Sequence, residues 1–171
     1  MIDRIRTVRQ IRQYAADEVP DEVVKQLLRV AQWTGSSRNT QPWHFVVVKD
    51  KDRLRRISQL RPPINWLAGA PLGIAIVLDG AGVSEAYDEG RVTERILIAA
   101  HNLGYGGGVA WFGDDAQQAE AKRILGVPAD RTARSIVMIG RPVSAKDPRP
   151  NARPGGRKPL SEIVSYERYS K

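Results

Sequence analysis

Helical and strand patterns alternate along this chain, which predicts a mixed α/β or α+β fold. Amphipathic stretches at one-turn spacing, such as residues 20–34 and 84–104, predict helices. Short unbroken apolar runs stand between them, FVVV at 45–48 and LGIAIVLD at 72–79, and these predict buried strands. A length of 171 residues with 42% hydrophobic content suits a single domain over 1–171 with a core of its own.

Apolar residues at 2, 5, 8 and 11 predict a helix over 2–14, and 15–20 breaks it. Pro20, Asp21 as N-cap and Glu22 in the first turn open a helix whose apolar stripe runs through Val23, Val24, Leu27, Leu28, Val30 and Ala31. Residues 34–44 read as a loop, 45–48 as a strand and 50–60 as a helix with Leu54, Ile57 and Leu60 in register. The Pro- and Gly-rich stretch 61–71 reads as irregular. The run 72–79 suits a central strand, and the pattern over 84–104 is the longest helix, stopped by Gly104. A glycine turn then feeds a strand, DAQQAEAKRILGV forms a helix ended by Gly126 and Pro128, and 134–142 is the last strand. Residues 143–159 are rich in Pro and Gly and read as an extended arm.

The composition excludes several chemistries. There is no Cys, so disulfides, thiolate nucleophiles, Cys-based zinc sites and iron–sulfur clusters are ruled out together. His44 and His101 are the only histidines, no Gly-x-Ser-x-Gly elbow exists, and no carboxylates cluster at metal-ligand spacing. The opening residues carry Asp3 and no apolar core segment, so no signal peptide is expected. No apolar run is long enough for a membrane helix, and a cytoplasmic protein is the expectation. The net charge of +8 suits either a basic surface or an anionic partner. The Arg residues concentrate at the two ends, Arg4–Arg12 and Arg149–Lys158, without a groove-entering motif, so nucleic acid is not expected.

Two stretches carry candidate chemistry. GYGGGVAWFG resembles a dinucleotide fingerprint but fails it: it follows a helix and opens a strand, and position 109 is Val. Gly106–Gly108 nevertheless offer bare backbone, either for a tight turn or for close approach to a flat ligand. SSRNTQPWHF at 36–45 concentrates Ser, Asn and Gln, which both donate and accept hydrogen bonds, as a heteroaromatic ligand requires. It reads equally as a polar connector with an Asx-turn at Asn39. His101 lies in the apolar helix and reads as a satisfied core or interface histidine, and Asp114–Asp115 as an N-cap.

Taken in order, VRQIRQY (8–14), TGSSRNTQPWHFVVVKD (34–50), ILIAAHNLGYGG (96–107) and ILGVPADRTARSIVMIGRP followed by RKPLSEIVSYERY resemble the four signature segments of the nitroreductase family of FMN-dependent NAD(P)H oxidoreductases. The resemblance spans nearly the whole chain. It implies a central, mostly antiparallel sheet flanked by helices, and a homodimer with each flavin site built from both chains. The arm, within 143–171, would cross to the partner subunit. The implied cofactor is FMN, with NAD(P)H as co-substrate and a small-molecule acceptor, a nitroaromatic, quinone or activated alkene, reduced by ping-pong hydride transfer through flavin N5.

Residue by residue, the resemblance implies that Asn39 and Gln41 face the ribityl chain or ring edge, with Ser36 or Ser37 nearby. Arg9, Arg12 and Arg157 would hold the phosphate, and Gly106 and Gly107 would present backbone N–H near flavin N5. The family's first Arg falls here on Val8 and its Ser on Gln10, where Arg6 or Lys158 could compensate. The family's Ala-Pro-Ser stands here as Thr34, Gly35 and Ser36. No catalytic side chain is implied. The alternatives are a relative with different flavin chemistry (flavin fragmentation, dehalogenation or deazaflavin use), a flavin-binding protein without turnover, and a basic nucleic-acid binder.

Overall fold

The computed structural model describes residues 2–143 and 157–169. The sheet has four strands, β1 (Trp43–Val48), β2 (Leu72–Leu78), β3 (Gly106–Trp111) and β4 (Thr132–Gly140), in the order β1-β2-β4-β3. Every pairing is antiparallel. Among the described residues five α-helices accompany it: α1 (Ile2–Thr7), α2 (Asp21–Gln32), α3 (Lys51–Ser58), α4 (Val83–Asn102) and α5 (Asp115–Leu125). The mixed fold with an antiparallel sheet flanked by helices therefore stands.

Both faces of the sheet are covered, which explains why β2 reads as a continuous apolar run rather than an alternation. Leu72, Ile74, Ile76 and Leu78 pack with Leu27, Ala31, Ile96 and Ala100 of α2 and α4. Ala75 and Val77 turn to the other face, against Leu54, Ile57, Ala121 and Phe112. All seven residues of β2 are buried, and each fully buried Leu or Ile contributes about 1.5–3 kcal/mol.

The helix ends follow local chemistry. Asp114 caps α5 by accepting from the Gln117 amide at 2.9 Å, with the reciprocal Gln117 bond present. Gly126 closes α5 at φ 70°, and Gly104 follows α4 at φ 80°.

Four expectations are corrected. The helix predicted over 2–14 stops at Thr7. Beyond it the chain runs along the free edge of β3, with Gln10 bridging Gly107 in parallel and Tyr14 bridging Pro142. Edge pairing and burial of Ile11 outweigh local helix propensity there. Asp21 is not the cap of α2. Pro20 holds that place, and Asp21 instead accepts from Lys49 Nζ at 2.5 Å, joining the start of α2 to the end of β1. The stretch 61–71 is not irregular: Pro62–Gly69 forms a 3-10 helix that buries Ile64 and Leu67. The first strand begins two residues early, at Trp43, inside the predicted loop. The expected arm over 143–159 lies, for 144–156, outside the described residues.

Candidate functional site

The N-terminal segment and the glycine strand form one group. Ile11 donates its amide to the Gly107 carbonyl at 2.8 Å. The Val109 amide donates to Gln10 Oε1 at 3.3 Å. The glycines make this approach possible. A Cβ on Gly106 would stand 2.6 Å from Ile11 Cγ1, one on Gly107 2.5 Å from Leu97 Cδ2, and one on Gly108 2.4 Å from the Ile11 carbonyl oxygen. The space left by the missing side chains is thus filled by this chain's own residues.

Beside them lies a cavity of about 250 Å³ lined by Val8, Arg9, His101, Gly104, Gly106 and Gly107 among others. Arg9 is exposed at its rim and donates from Nη1 to the carbonyls of Arg6 and Val8, both at 2.7 Å. Among the described residues its other guanidinium N–H groups have no partner, and they are free to meet an anion. His101 Nε2 lies 3.1 Å from Thr7 Oγ1. That hydroxyl already donates to the Arg4 carbonyl, so it accepts from the imidazole. Arg12 takes a different direction and lies 5.7 Å from the Trp66 ring centre. In extended chain, positions three apart leave on opposite sides, so Arg9 and Arg12 do not converge within one protomer.

The polar loop forms the second group. Ser37–Asn39 makes a 3-10 turn, and Arg38, Asn39 and Gln41 sit at φ 51°, 57° and 49°. Left-handed backbone costs a non-glycine residue about 1–2 kcal/mol, so this conformation must be imposed by other contacts. The Gln41 amide donates to Ser36 Oγ at 2.8 Å, Thr40 Oγ1 to the Ser37 carbonyl at 3.0 Å, and the Ser37 amide to Asp88 Oδ2 at 3.1 Å. Among the described residues nothing hydrogen-bonds to the side chains of Asn39 and Gln41, both of which are exposed. Their amide groups offer donors and acceptors outward, which fits the mixed edge of a heteroaromatic ring.

Asp88 and Arg91 were not singled out by the sequence reading. Asp88 stands four residues before Val92 and eight before Ile96, so it falls on the buried stripe of α4. A carboxylate on an apolar stripe is the signal that could have revealed it.

The two groups lie at opposite ends of the protomer. Asp88, which holds the loop, and Gly104, which flanks the cavity, are sixteen positions apart along or just past α4, about 24 Å at the helical rise. The strand register agrees. β1 begins with Trp43 opposite Leu78, while β3 begins with Gly106 opposite Gly140, next to Ile139, which faces Leu72 at the far end of β2.

Arg157 and Lys158 are exposed at the start of the second described segment. That segment also exposes Leu160, Ile163, Tyr166 and Tyr169, the tyrosines at 87% and 81%. Among the described residues, a hollow of about 820 Å³ is lined by residues of 158–169 and touches neither group. Among the described residues no helix is long and apolar enough to cross a membrane, and no acidic or histidine cluster could hold a metal.

Known proteins resemble this chain in sequence and fold. The model of the nitroreductase family matches residues 5–65, which include both the N-terminal segment and the polar loop. A protein of Archaeoglobus fulgidus named "Putative NADH dehydrogenase/NAD(P)H nitroreductase" is 32% identical over 151 residues, covering 84% of this chain and 86% of that protein. The solved structure of an FMN-dependent nitroreductase from Clostridium difficile R20291 superposes with a TM-score of 0.87 at 26% identity, covering 99% of this chain and all of that one. The NADPH:FMN oxidoreductase of Vibrio harveyi, complexed with NAD+, shares the fold at a TM-score of 0.84 and 20% identity, over 99% of this chain and 78% of that one. This chain belongs to the nitroreductase family.

Proposed function

We propose that this protein is an NAD(P)H-dependent FMN oxidoreductase that reduces a nitroaromatic, quinone or activated alkene, and that its site is assembled between two copies of the chain. The observation that carries this reading is the pair of unengaged amide side chains, Asn39 and Gln41, displayed on left-handed backbone. FMN, when bound, would supply the redox chemistry between NAD(P)H and the acceptor.

This chain's residues bind and orient. Asn39 and Gln41, with Ser36 and Ser37 behind them, meet the ribityl chain or ring edge. Arg9, from the rim of the cavity beside Gly106 and Gly107, meets the phosphate, and Arg12, Arg157 and Lys158 add positive charge from one copy or the other. Arg suits this because its planar fork matches phosphate oxygens. Gln10 holds the N-terminal segment against β3 through the Val109 amide. No side-chain acid or base is assigned.

Geometry supports a second copy. A separation of about 24 Å along α4 supports a reading in which one protomer alone does not meet both the ring edge and the phosphate of one FMN. A symmetric pair can bring the loop of one chain to the cavity of the other, twice. The exposed apolar side chains of 160–169 support the same view, since uncovered patches of that kind usually meet a partner.

The test is the absorbance spectrum of purified protein given FMN, then NADPH without oxygen, then an acceptor. Flavin bands that bleach and return on adding a quinone are the expected result. A chain that takes up no FMN overturns the reading. One that binds FMN without bleaching is a flavin-binding protein and not a reductase.

A further inference from the structure

We propose that Asp88 is a positioning residue. Its buried carboxylate, backed by Arg91, fixes where the 36–41 loop sits and so aims Asn39 and Gln41 at the flavin. The identity of the ligand rests on the function proposed above; the anchoring rests on this chain's own contacts.

Asp88 is 2% exposed and is the one buried acid among the described residues. A buried carboxylate is unfavourable unless it is paired and hydrogen-bonded. Both its oxygens are engaged: Oδ2 accepts the Ser37 amide and Oδ1 accepts Arg91 Nη1, each at 3.1 Å. Arg91 is half-exposed and lies over Gly35, where an added Cβ would stand 2.8 Å from Nη2. Glycine at 35 thus leaves room for the guanidinium that balances Asp88.

The other ties within the loop, Gln41 to Ser36 and Thr40 to Ser37, set its shape but not its place. The Asp88 bond joins that shape to α4. The helix is itself fixed to the sheet one residue on, where Glu89 accepts from Ser135 Oγ at 2.6 Å and from Arg134 Nε at 3.1 Å. Backbone held in a sparsely populated region persists only when its surroundings over-determine it. Asp88 supplies that constraint from α4.

The test compares wild type with Asp88→Asn, which keeps the shape but sets an amide against Arg91. Hydrogen exchange of the flavin-free protein and an FMN titration by fluorescence quenching are the readouts. The expected result is faster exchange confined to 36–41, unchanged exchange in β2 and α5, and an FMN Kd raised about 10-fold, the lower end of what is lost when a group that orients metal ligands is removed. Unchanged loop exchange overturns the proposal, and so does faster exchange with wild-type FMN affinity. A merely structural role would instead speed exchange throughout. A wild-type chain that takes up no FMN overturns the proposed function, while the exchange arm still decides whether Asp88 anchors the loop. If Asp88→Asn fails to fold, Arg91→Gln, at a half-exposed position, is expected to act in the same direction by less. No change in either readout of that variant also overturns the proposal.

Discussion

Two junctions in this chain have the same topological task and perform it in opposite ways. SSRNTQ joins helix α2 to strand β1, and GYGGG joins α4 to β3. The glycine junction uses left-handed backbone once, at Gly104, and then disappears into the sheet with Gly106–Gly108 buried. Its missing side chains are replaced by Ile11, Leu97 and Trp66 from the same chain. The polar junction has no glycine beyond position 35, yet holds Arg38, Asn39 and Gln41 at positive φ and leaves their side chains exposed. Glycine here serves internal packing. Strain on polar residues, in the function proposed here, serves presentation to something outside the protomer.

The largest effect that could break this contrast is at Gly108. Gly108→Ala would place a methyl 2.4 Å from the Ile11 carbonyl oxygen and 3.0 Å from Trp66. A backbone oxygen cannot swing aside, so a loss of about 3 kcal/mol is expected in denaturant unfolding. A loss below about 1 kcal/mol would mean that segment 8–14 is not packed there. Gly104→Ala is a smaller test, because nothing lies within 4 Å and only the φ of 80° opposes it. It should cost about 1 kcal/mol.

Arg38→Gly should have the opposite sign. Relief at φ 51° slightly exceeds the added freedom of the unfolded chain, for a gain of about 0.5 kcal/mol. A clear loss of stability would show that the left-handed turn is not strained.

The smallest effect is at Asp21, which ties the start of α2 to the end of β1 and belongs to neither junction. The Lys49 hydrogen bond holds its carboxyl below the ordinary value of 3.8. The folded-state pKa lies under the unfolded one, so the contribution is present above about pH 4 and is lost as pH falls through the folded value. Asp21→Asn should therefore lower the melting temperature slightly at pH 7 and leave it unchanged at pH 2. An equal effect at both would place the contribution elsewhere.

Much of this was readable in the residues themselves, because the physics there is local. Asp114, Gly104 and Gly126 announce their helix ends, and the apolar run of β2 announces a strand covered on both faces. The polar loop stood out because Ser, Asn and Gln, which both donate and accept hydrogen bonds, crowd together there, although such residues also suit a plain connector. Segment 8–14 misled, since apolar residues at 2, 5, 8 and 11 fit a helix as well as they fit a short helix followed by an edge segment. Pairing with β3, about a hundred residues away in sequence, decides between them, and no local pattern encodes it. Asp88 could have been found from its place on the α4 stripe. The separation of loop and cavity could not, because it depends on the strand order β1-β2-β4-β3. Arg9 and Arg12 look like one cluster in the sequence and leave an extended chain on opposite sides.

The central claim, that each site takes its loop from one copy and its cavity from the other, is tested most directly by co-expressing two defective chains. One carries Asn39→Ala and Gln41→Ala, the other Arg9→Ala, and each alone should bind little FMN. In a shared site the mixed dimer rebuilds one intact site of its two. With half the dimers mixed, flavin content should recover to about a quarter of wild type. No recovery above the separate variants, with mixed dimers verified by differential tags, would place the whole site within one chain and contradict the account.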